Sequence, residues 1–306
     1  MITETTVTPT QATQGRLLLL AAAVLWSLSG VVAKSLAPLS GAEIAFYRSL
    51  FAGLALLPFV PRARWIFRPV MVPMTLIFGA MVGLYLSSMA RTTAANSILL
   101  QYSATFWTVP LSMIFLKENP DHRDRLPIAL ATIGIAIIVV LGRNGTRGEG
   151  LGIAFGLASG FGYAVVIVCM RGLRDLDSAW VSAVNNLGGA ITLGVLTWML
   201  VGPIQVPSQG QIGVLIVFGI VQMAIPYALF ARGLKTVGPA EASLITLIEP
   251  LLATLWVFLV HKEKPAPATL VGGVFLLAGV LARYLPKGSV APADDLPQRI
   301  EDEPGE

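Results

Sequence analysis

Apolar runs of membrane-spanning length follow one another along almost the whole chain, with only short polar breaks between them. A helix needs about 20 mainly apolar residues to cross a hydrocarbon core of ~30 Å. The runs predict spans near 17–36, 42–60, 70–89, 94–116, 126–142, 150–171, 178–201, 211–231, 239–260 and 267–285. Turn-forming residues mark the breaks: Pro38, Pro61, Pro69, Pro120–Asp121, Gly145, Pro203 and Pro207. The pattern predicts an all-α membrane protein of ten transmembrane helices. A polar, Thr-rich tail over 1–16 precedes the first run, with no basic leader beyond Arg16. That run therefore reads as a retained span rather than a cleaved signal. From Pro286 the chain turns to Pro, Asp and Glu, and 286–306 reads as a disordered tail.

The spans repeat. A shift of 145 residues lays Lys117–Glu118 on Lys262–Glu263, Pro120 on Pro265, Ala95 on Ala240 and Gly134 on Gly279. A shift of 137 lays Trp26 on Tyr163, Lys34 on Arg171, Leu36 on Leu173 and Arg48 on Asn185. Members of each pair hold the same helix position in their own half. The chain thus divides into two five-helix units, 17–142 and 150–285. Five is odd, so the second unit enters the bilayer upside down. Inverted repeats favour alternating access around a midplane site.

Charge orients the chain. Only 12% of residues are charged, against ~25% in soluble domains, and mean hydropathy is +0.75. Of 21 Lys and Arg, fourteen fall on the side of the N-terminus, side A, and six on the opposite side B. Arg48 is left inside a span. The positive-inside rule makes side A cytoplasmic, with both termini there, in a multi-pass protein of the cell's inner membrane. The net charge of +4 is scattered between apolar runs, so it argues for topology and not for nucleic acid.

Two tandem segments carry a family resemblance. Span 4 reads Ala95-Asn-Ser-Ile-Leu-Leu-Gln-Tyr through Pro110 to Lys117–Glu118; span 9 reads Ala240-Glu-Ala-Ser-Leu-Ile-Thr-Leu-Ile-Glu-Pro250 through to Lys262–Glu263. With Trp26 and Arg48, they resemble EamA-type transporters of the drug/metabolite transporter superfamily. The resemblance implies a ten-helix basket with spans 1–4 and 6–9 around a central cavity and spans 5 and 10 outside. It also implies export of amino acids, related metabolites or drugs, or uptake of vitamins or nucleoside-like compounds.

Glu249 is the sharpest single residue. It lies about nine residues into span 9, ~14 Å along a helix at ~1.5 Å per residue, near the middle of the hydrocarbon. A bare carboxylate there costs several kcal/mol unless paired, hydrated or protonated. It reads either as a proton-coupling or amine-binding group, or as a structural carboxyl beside the helix weakness at Pro250. Arg48 reads either as a binder of a substrate carboxylate or as a structural cation reaching the interface. Glu43 and Glu241, in first turns, read as caps.

In span 4, Gln101, Thr105, Thr108 and Ser112 recur at helical spacing on one face. In span 9, Ser243, Thr246 and Glu249 do the same. Such stripes face a wet cavity or a neighbouring helix. Trp26, Tyr85, Tyr102, Trp107, Tyr163, Asn185, Asn186, Gln222 and Tyr227 complete the candidate lining. Trp65, Trp180, Trp198 and Trp256 read as interfacial belt residues. Gly152, Gly156 and Gly160, like Gly79, Gly83 and Ser87, read as close-packing faces.

No enzyme is expected. His122 and His261 are both loop residues, Cys169 is the one cysteine, and no metal-ligand spacing or cofactor motif is present. No filter motif or charge ring points to a channel. The reading is a secondary transporter of small organic solutes, with protons as the candidate coupling ion. One deep acid among many amides and hydroxyls favours an amino-acid-type exporter over a multidrug exporter or a vitamin or nucleoside carrier. Oligomeric state is left open.

Overall fold

The computed structural model describes residues 9–117, 125–142, 148–173, 175–233, 236–237, 245–246 and 248–284. Glu118, Pro120, His122, Gly145, Ala240, Glu241, Ser243 and the tail from Pro286 lie outside the described residues, as do the side chains of Thr105 and Arg171. All regular elements among the described residues are helical. They are α1 (Pro9–Ser27), α2 (Ser29–Ser35), α3 (Gly41–Leu56), α4 (Met71–Met89), α5 (Ala94–Gln101), α6 (Ala104–Leu116) and α7 (Arg125–Leu141) in the first half. The second half holds α8 (Glu149–Arg171), α9 (Ser178–Leu200), α10 (Gln209–Gly219), α11 (Ile225–Gly233), α12 (Ile248–His261) and α13 (Pro267–Tyr284). A π-helical turn, Ile220–Ala224, joins α10 to α11.

Among the described residues, seven rods are long and apolar enough to cross a membrane, counting α1–α2, α5–α6 and α10–α11 as one each. Arg125–Leu141, Ile248–His261 and Pro267–Gly279 are shorter apolar helices. Two rods depart from the expected straight spans. The first breaks at Leu28, and α1 begins at Pro9, well ahead of the apolar run. The fourth breaks at Tyr102–Ser103, where the Ser103 N–H reaches back only to the Leu100 carbonyl. Gln101 is thereby separated from Thr108 and Ser112, so the four-residue stripe is not one continuous helical face.

The repeat has a physical counterpart in the packing. A Cβ added to Gly134 on α7 would lie 2.5 Å from the Gly272 carbonyl oxygen on α13 and against Leu276. A Cβ on Gly279 would lie 2.9 Å from the Pro127 carbonyl oxygen and against Ala131. Residues 272 and 276 are 127 and 131 moved by the repeat interval, so the contact is its own image under a pseudo-two-fold axis. Gly79 meets the Gly189 backbone on α9, while Gly219 meets the α3 backbone at Arg48 and Ala52, again as images.

The chain ends of the helices repeat as well. Ser40 and Asp177, 137 residues apart, cap α3 and α9. Ser40 forms a capping box with Glu43, while Asp177 accepts the N–H groups of Ala179 and Trp180. Lys117 and Lys262, 145 apart, both take left-handed backbone, with φ 53° and 55°, just past α6 and α12.

Loops of the two halves clasp each other at both membrane surfaces. On side A, Arg64 pairs with Asp177 at 2.7 Å, Arg68 pairs with Asp175, and Trp65 stacks on Trp180 at 5.1 Å. On side B, the Gln205 N–H donates to Glu43 at 2.8 Å and the Tyr47 hydroxyl donates to the Gln205 carbonyl at 2.9 Å. Lys34 pairs with Glu263, whose other oxygen accepts the Ala94 N–H at 2.7 Å. That carboxylate fastens the ends of α2, α5 and α12 together.

Two outcomes test this frame. Gly134→Val and Gly279→Val should each lower the thermal unfolding midpoint in detergent, by the equivalent of ~1–3 kcal/mol of overpacking. Gly210→Ala, which meets open space, should not. The Arg64 hydrogen bond holds the Asp177 carboxyl below its ordinary range. Its stabilisation is thus complete above the ordinary Asp value and is lost as pH falls through the lowered one. Fluorescence of the Trp65–Trp180 stack should respond to acid in that window, and Arg64→Gln should move the response upward in pH.

Candidate functional site

Polar side chains from both halves converge between the α1–α2 break, α3, α4 and the π turn. The Arg48 guanidinium on α3 is only 3% exposed. Its Nη1 donates to Gln222 Oε1 at 3.1 Å, and Gln222 Nε2 donates to the Trp26 carbonyl at 3.2 Å. Gln222 stands in the π turn, and such bulges re-aim side chains at functional positions. Arg48 also lies 5.3 Å from the Phe218 ring centre, a cation–π distance. Its Nε has no hydrogen-bond partner among the described residues. Nor is it paired there with a carboxylate, so a buried cation rests on neutral groups.

Around this centre the aromatic groups assemble. Trp26 packs edge-on to Tyr227 at 5.4 Å and against Phe230 at 5.4 Å. The Tyr85 hydroxyl, on α4, meets the Ser29 hydroxyl at 3.3 Å, just past the Leu28 break. The Tyr102 hydroxyl, at the break in the fourth rod, donates to Glu249 Oε2 at 3.3 Å.

The other expected residues divide. Gln101 donates to the fully buried Ser159 hydroxyl on α8 at 3.1 Å. Tyr163 is 39% exposed but reaches Tyr102 electrostatically. Asn185 is buried, with an unpartnered side-chain oxygen. Thr246 is half-buried. Thr108 bonds its own helix at the Ala104 carbonyl, so its hydroxyl is spent locally. Trp256 turns inward and donates to Ser27 at 2.9 Å, which corrects its reading as an interfacial residue. Glu43, one turn before Arg48, serves its own cap and Gln205.

Ser29, Ser159 and Phe218 were not picked out from the sequence, because a single Ser or Phe in an apolar run carries no pattern. Ser49 was detectable: the 137-residue shift lays it on Asn186 beside Arg48 on Asn185. Arg48, Ser49, Asn185 and Asn186 each keep one buried polar atom without a partner among the described residues. Two adjacent repeat-equivalent pairs thus hold unspent hydrogen-bonding capacity.

Comparison with known proteins agrees with this architecture. A model of the EamA-like transporter family matches residues 13–140 and 150–284, one copy per half. An "Uncharacterized transporter" of Archaeoglobus fulgidus is 31% identical over 248 residues, 79% of this chain and 86% of the relative. The "Uncharacterized transporter YwfM" of Bacillus subtilis is 27% identical over 278 residues, 87% and 92% of the two chains. A solved crystal structure at 20% identity superposes with a TM-score of 0.61, covering 88% of this chain and 96% of that one, and shares the fold.

The Arg48–Gln222 contact predicts a double-mutant result. Gln222→Leu removes a hydrogen bond to a buried charge and should cost ~1.5–3 kcal/mol, whereas Arg48→Met with Gln222→Leu should recover most of it. Unfolding of the three variants in detergent checks this; equal losses in the single and double variants would refute the contact's role.

Proposed function

The chain belongs to the EamA-like transporter family, and we propose that it exports amino-acid-type metabolites by alternating access around a cavity between its halves. Family membership makes it a multi-pass membrane transporter of small solutes. The single observation that supports the finer reading is a buried cation and an acid from opposite halves set among aromatic groups: Arg48 held by Gln222, which bonds the Trp26 carbonyl beside Tyr227, and Glu249 held by the Tyr102 phenol. A zwitterion fits it: its carboxylate would meet the Arg48 guanidinium, its ammonium would meet Glu249, and the phenols would offer hydrogen bonds between them.

Alternating access is supported by the pseudo-two-fold contacts of α7 with α13 and of α4 and α10 with α9 and α3. Two packings related by that axis have similar energies, which is the condition for rocking between them. Counting the three shorter helices gives ten crossings, with both termini on the Arg-rich cytoplasmic side A. Glu249 is the proposed coupling group. It is bound to Tyr102, the phenol at the break in the fourth rod, and ionisable groups at this depth mark proton and substrate paths.

Reconstitution of Glu249→Gln into liposomes tests the coupling. The variant should lose pH-gradient-driven accumulation while keeping solute exchange at zero gradient; full gradient-driven transport would exclude Glu249. Comparison of exported metabolites between cells with and without the protein tests the substrate class. Enrichment of zwitterionic amino compounds in the medium is expected, and export confined to compounds without a carboxylate would overturn the reading.

A further inference from the structure

Three rods from the two halves meet at the side-B surface. There α2 ends the first rod, α5 begins the fourth, and α12 ends at His261. One turn below Lys34, a Cβ on Gly30 would lie 2.9 Å from Val257 on α12 and 3.2 Å from the Ala94 Cβ on α5, so the three are in contact. Polar ties lie above that contact. The Lys34 ammonium on α2 pairs with one Glu263 oxygen, and the Ala94 N–H, in the first turn of α5, donates to the other at 2.7 Å. The His261 ring Nε2 donates to the Val31 carbonyl at 3.1 Å. Lys34 and Glu263 side chains are each 21% exposed, at the rim of the bundle. A carboxylate set between an ammonium and a helix N-terminus is held by two charge-assisted bonds.

The halves are also tied on side A, by Arg64–Asp177 and Arg68–Asp175. The repeat separates the two kinds of tie. Moved by 137 residues, Arg64, Arg68, Asp177 and Asp175 fall on Val201, Gln205, Ser40 and Pro38. The opposite surface has no charges there with which to copy these pairs. Lys34, moved in the same way, falls on Arg171, and the 145-residue shift lays Glu263 on Glu118. Base and acid are both kept. Glu118 and the side chain of Arg171 lie outside the described residues, and the match is one of sequence. Rocking of inverted repeats exchanges their conformations, so a contact made at one surface in one state passes to its image at the other surface in the next. A tie with a charged image is exchangeable; a tie without one is a fixed staple.

We infer that Lys34, Glu263 and the Ala94 N–H form a latch that shuts the side-B mouth of the solute path and opens in each transport cycle, while the Arg64 and Arg68 pairs stay closed throughout. The latch presupposes the alternating access proposed above. Glu263 is its centre, because one carboxylate joins the ends of three rods from both halves. Removing its charge loosens the two bonds together, which shifts the population toward the state open on side B. In an alternating carrier that shift also closes side A.

A single reporter cysteine, Ser29→Cys in a Cys169→Ser background, provides the test. Ser29 lies inside the latch, beside the Tyr85 hydroxyl. A membrane-impermeant quaternary-ammonium thiosulfonate is applied to side B in whole cells and to side A in inverted membrane vesicles, and the labelling rate is measured. Glu263→Gln should raise the side-B rate at least about tenfold, the worth of one charge-assisted hydrogen bond, and lower the side-A rate. Lys34→Met leaves the Ala94 bond in place and should move both rates in the same directions by less. Exchange of the charges, Lys34→Glu with Glu263→Lys, should reverse most of both changes, which a misfolded variant would not do. Arg64→Gln, which breaks a staple, should leave the ratio of the two rates unaltered. A side-B rate unchanged in Glu263→Gln, or one that rises together with the side-A rate, would overturn the latch. A side-B rise with the side-A rate unaltered would keep the latch and overturn alternating access.

Discussion

Hydrocarbon offers no hydrogen bonds, so each polar group in a spanning helix must find its partner in the protein, on its own helix or on a neighbour. This constraint ties the molecule together. Arg48 of the first half is held by Gln222 of the second, which in turn grips the Trp26 carbonyl of the first. Tyr102 of the first half holds Glu249 of the second, and Gln101 holds Ser159. Each bond crosses the boundary between the halves, and a change in their relative placement must break or exchange such bonds.

Symmetry in the packing contrasts with asymmetry in the site. Glycine contacts of α7 with α13, and of α4 and α10 with their opposite partners, are near images. They allow backbones to approach where small residues replace hydrophobic drive. The site breaks the image where chemistry requires it. Arg48 is charged where Asn185 is neutral, and Trp26 is half-buried where Tyr163 is exposed. The duplicated frame thus repeats its backbone contacts while the polar and aromatic residues between them differ from half to half.

Much of this was legible in the apolar pattern. Spans, the two-copy organisation and the packing role of Gly79 follow from run length, self-similarity under two shifts and glycine spacing. Trp26, Arg48, Tyr85, Gln222, Tyr227 and Glu249 stand out as candidates from the sequence, because polar and aromatic groups deep in lipid are conspicuous. What the pattern hid was local geometry. The break at Tyr102–Ser103 leaves hydropathy unchanged, so Gln101 looked continuous with Thr108. Thr108 bonding its own backbone is a rotamer choice with no mark in composition. The inward turn of Trp256 depends on Ser27, more than two hundred residues away.

The left-handed lysines carry a consequence for how the chain enters the membrane. Lys262 leads into Glu263, which grips the Ala94 N–H, while Lys117 lies at the far end of the rod that begins at Ala94. The two left-handed lysines therefore stand at opposite ends of the bundle. An insertion machinery that reads positive charge meets one identical signal twice and must place it on opposite sides. Orientation has to be written elsewhere, in the arginines of the loop over 61–70 and their kin, and the repeated turn must be silent as an address.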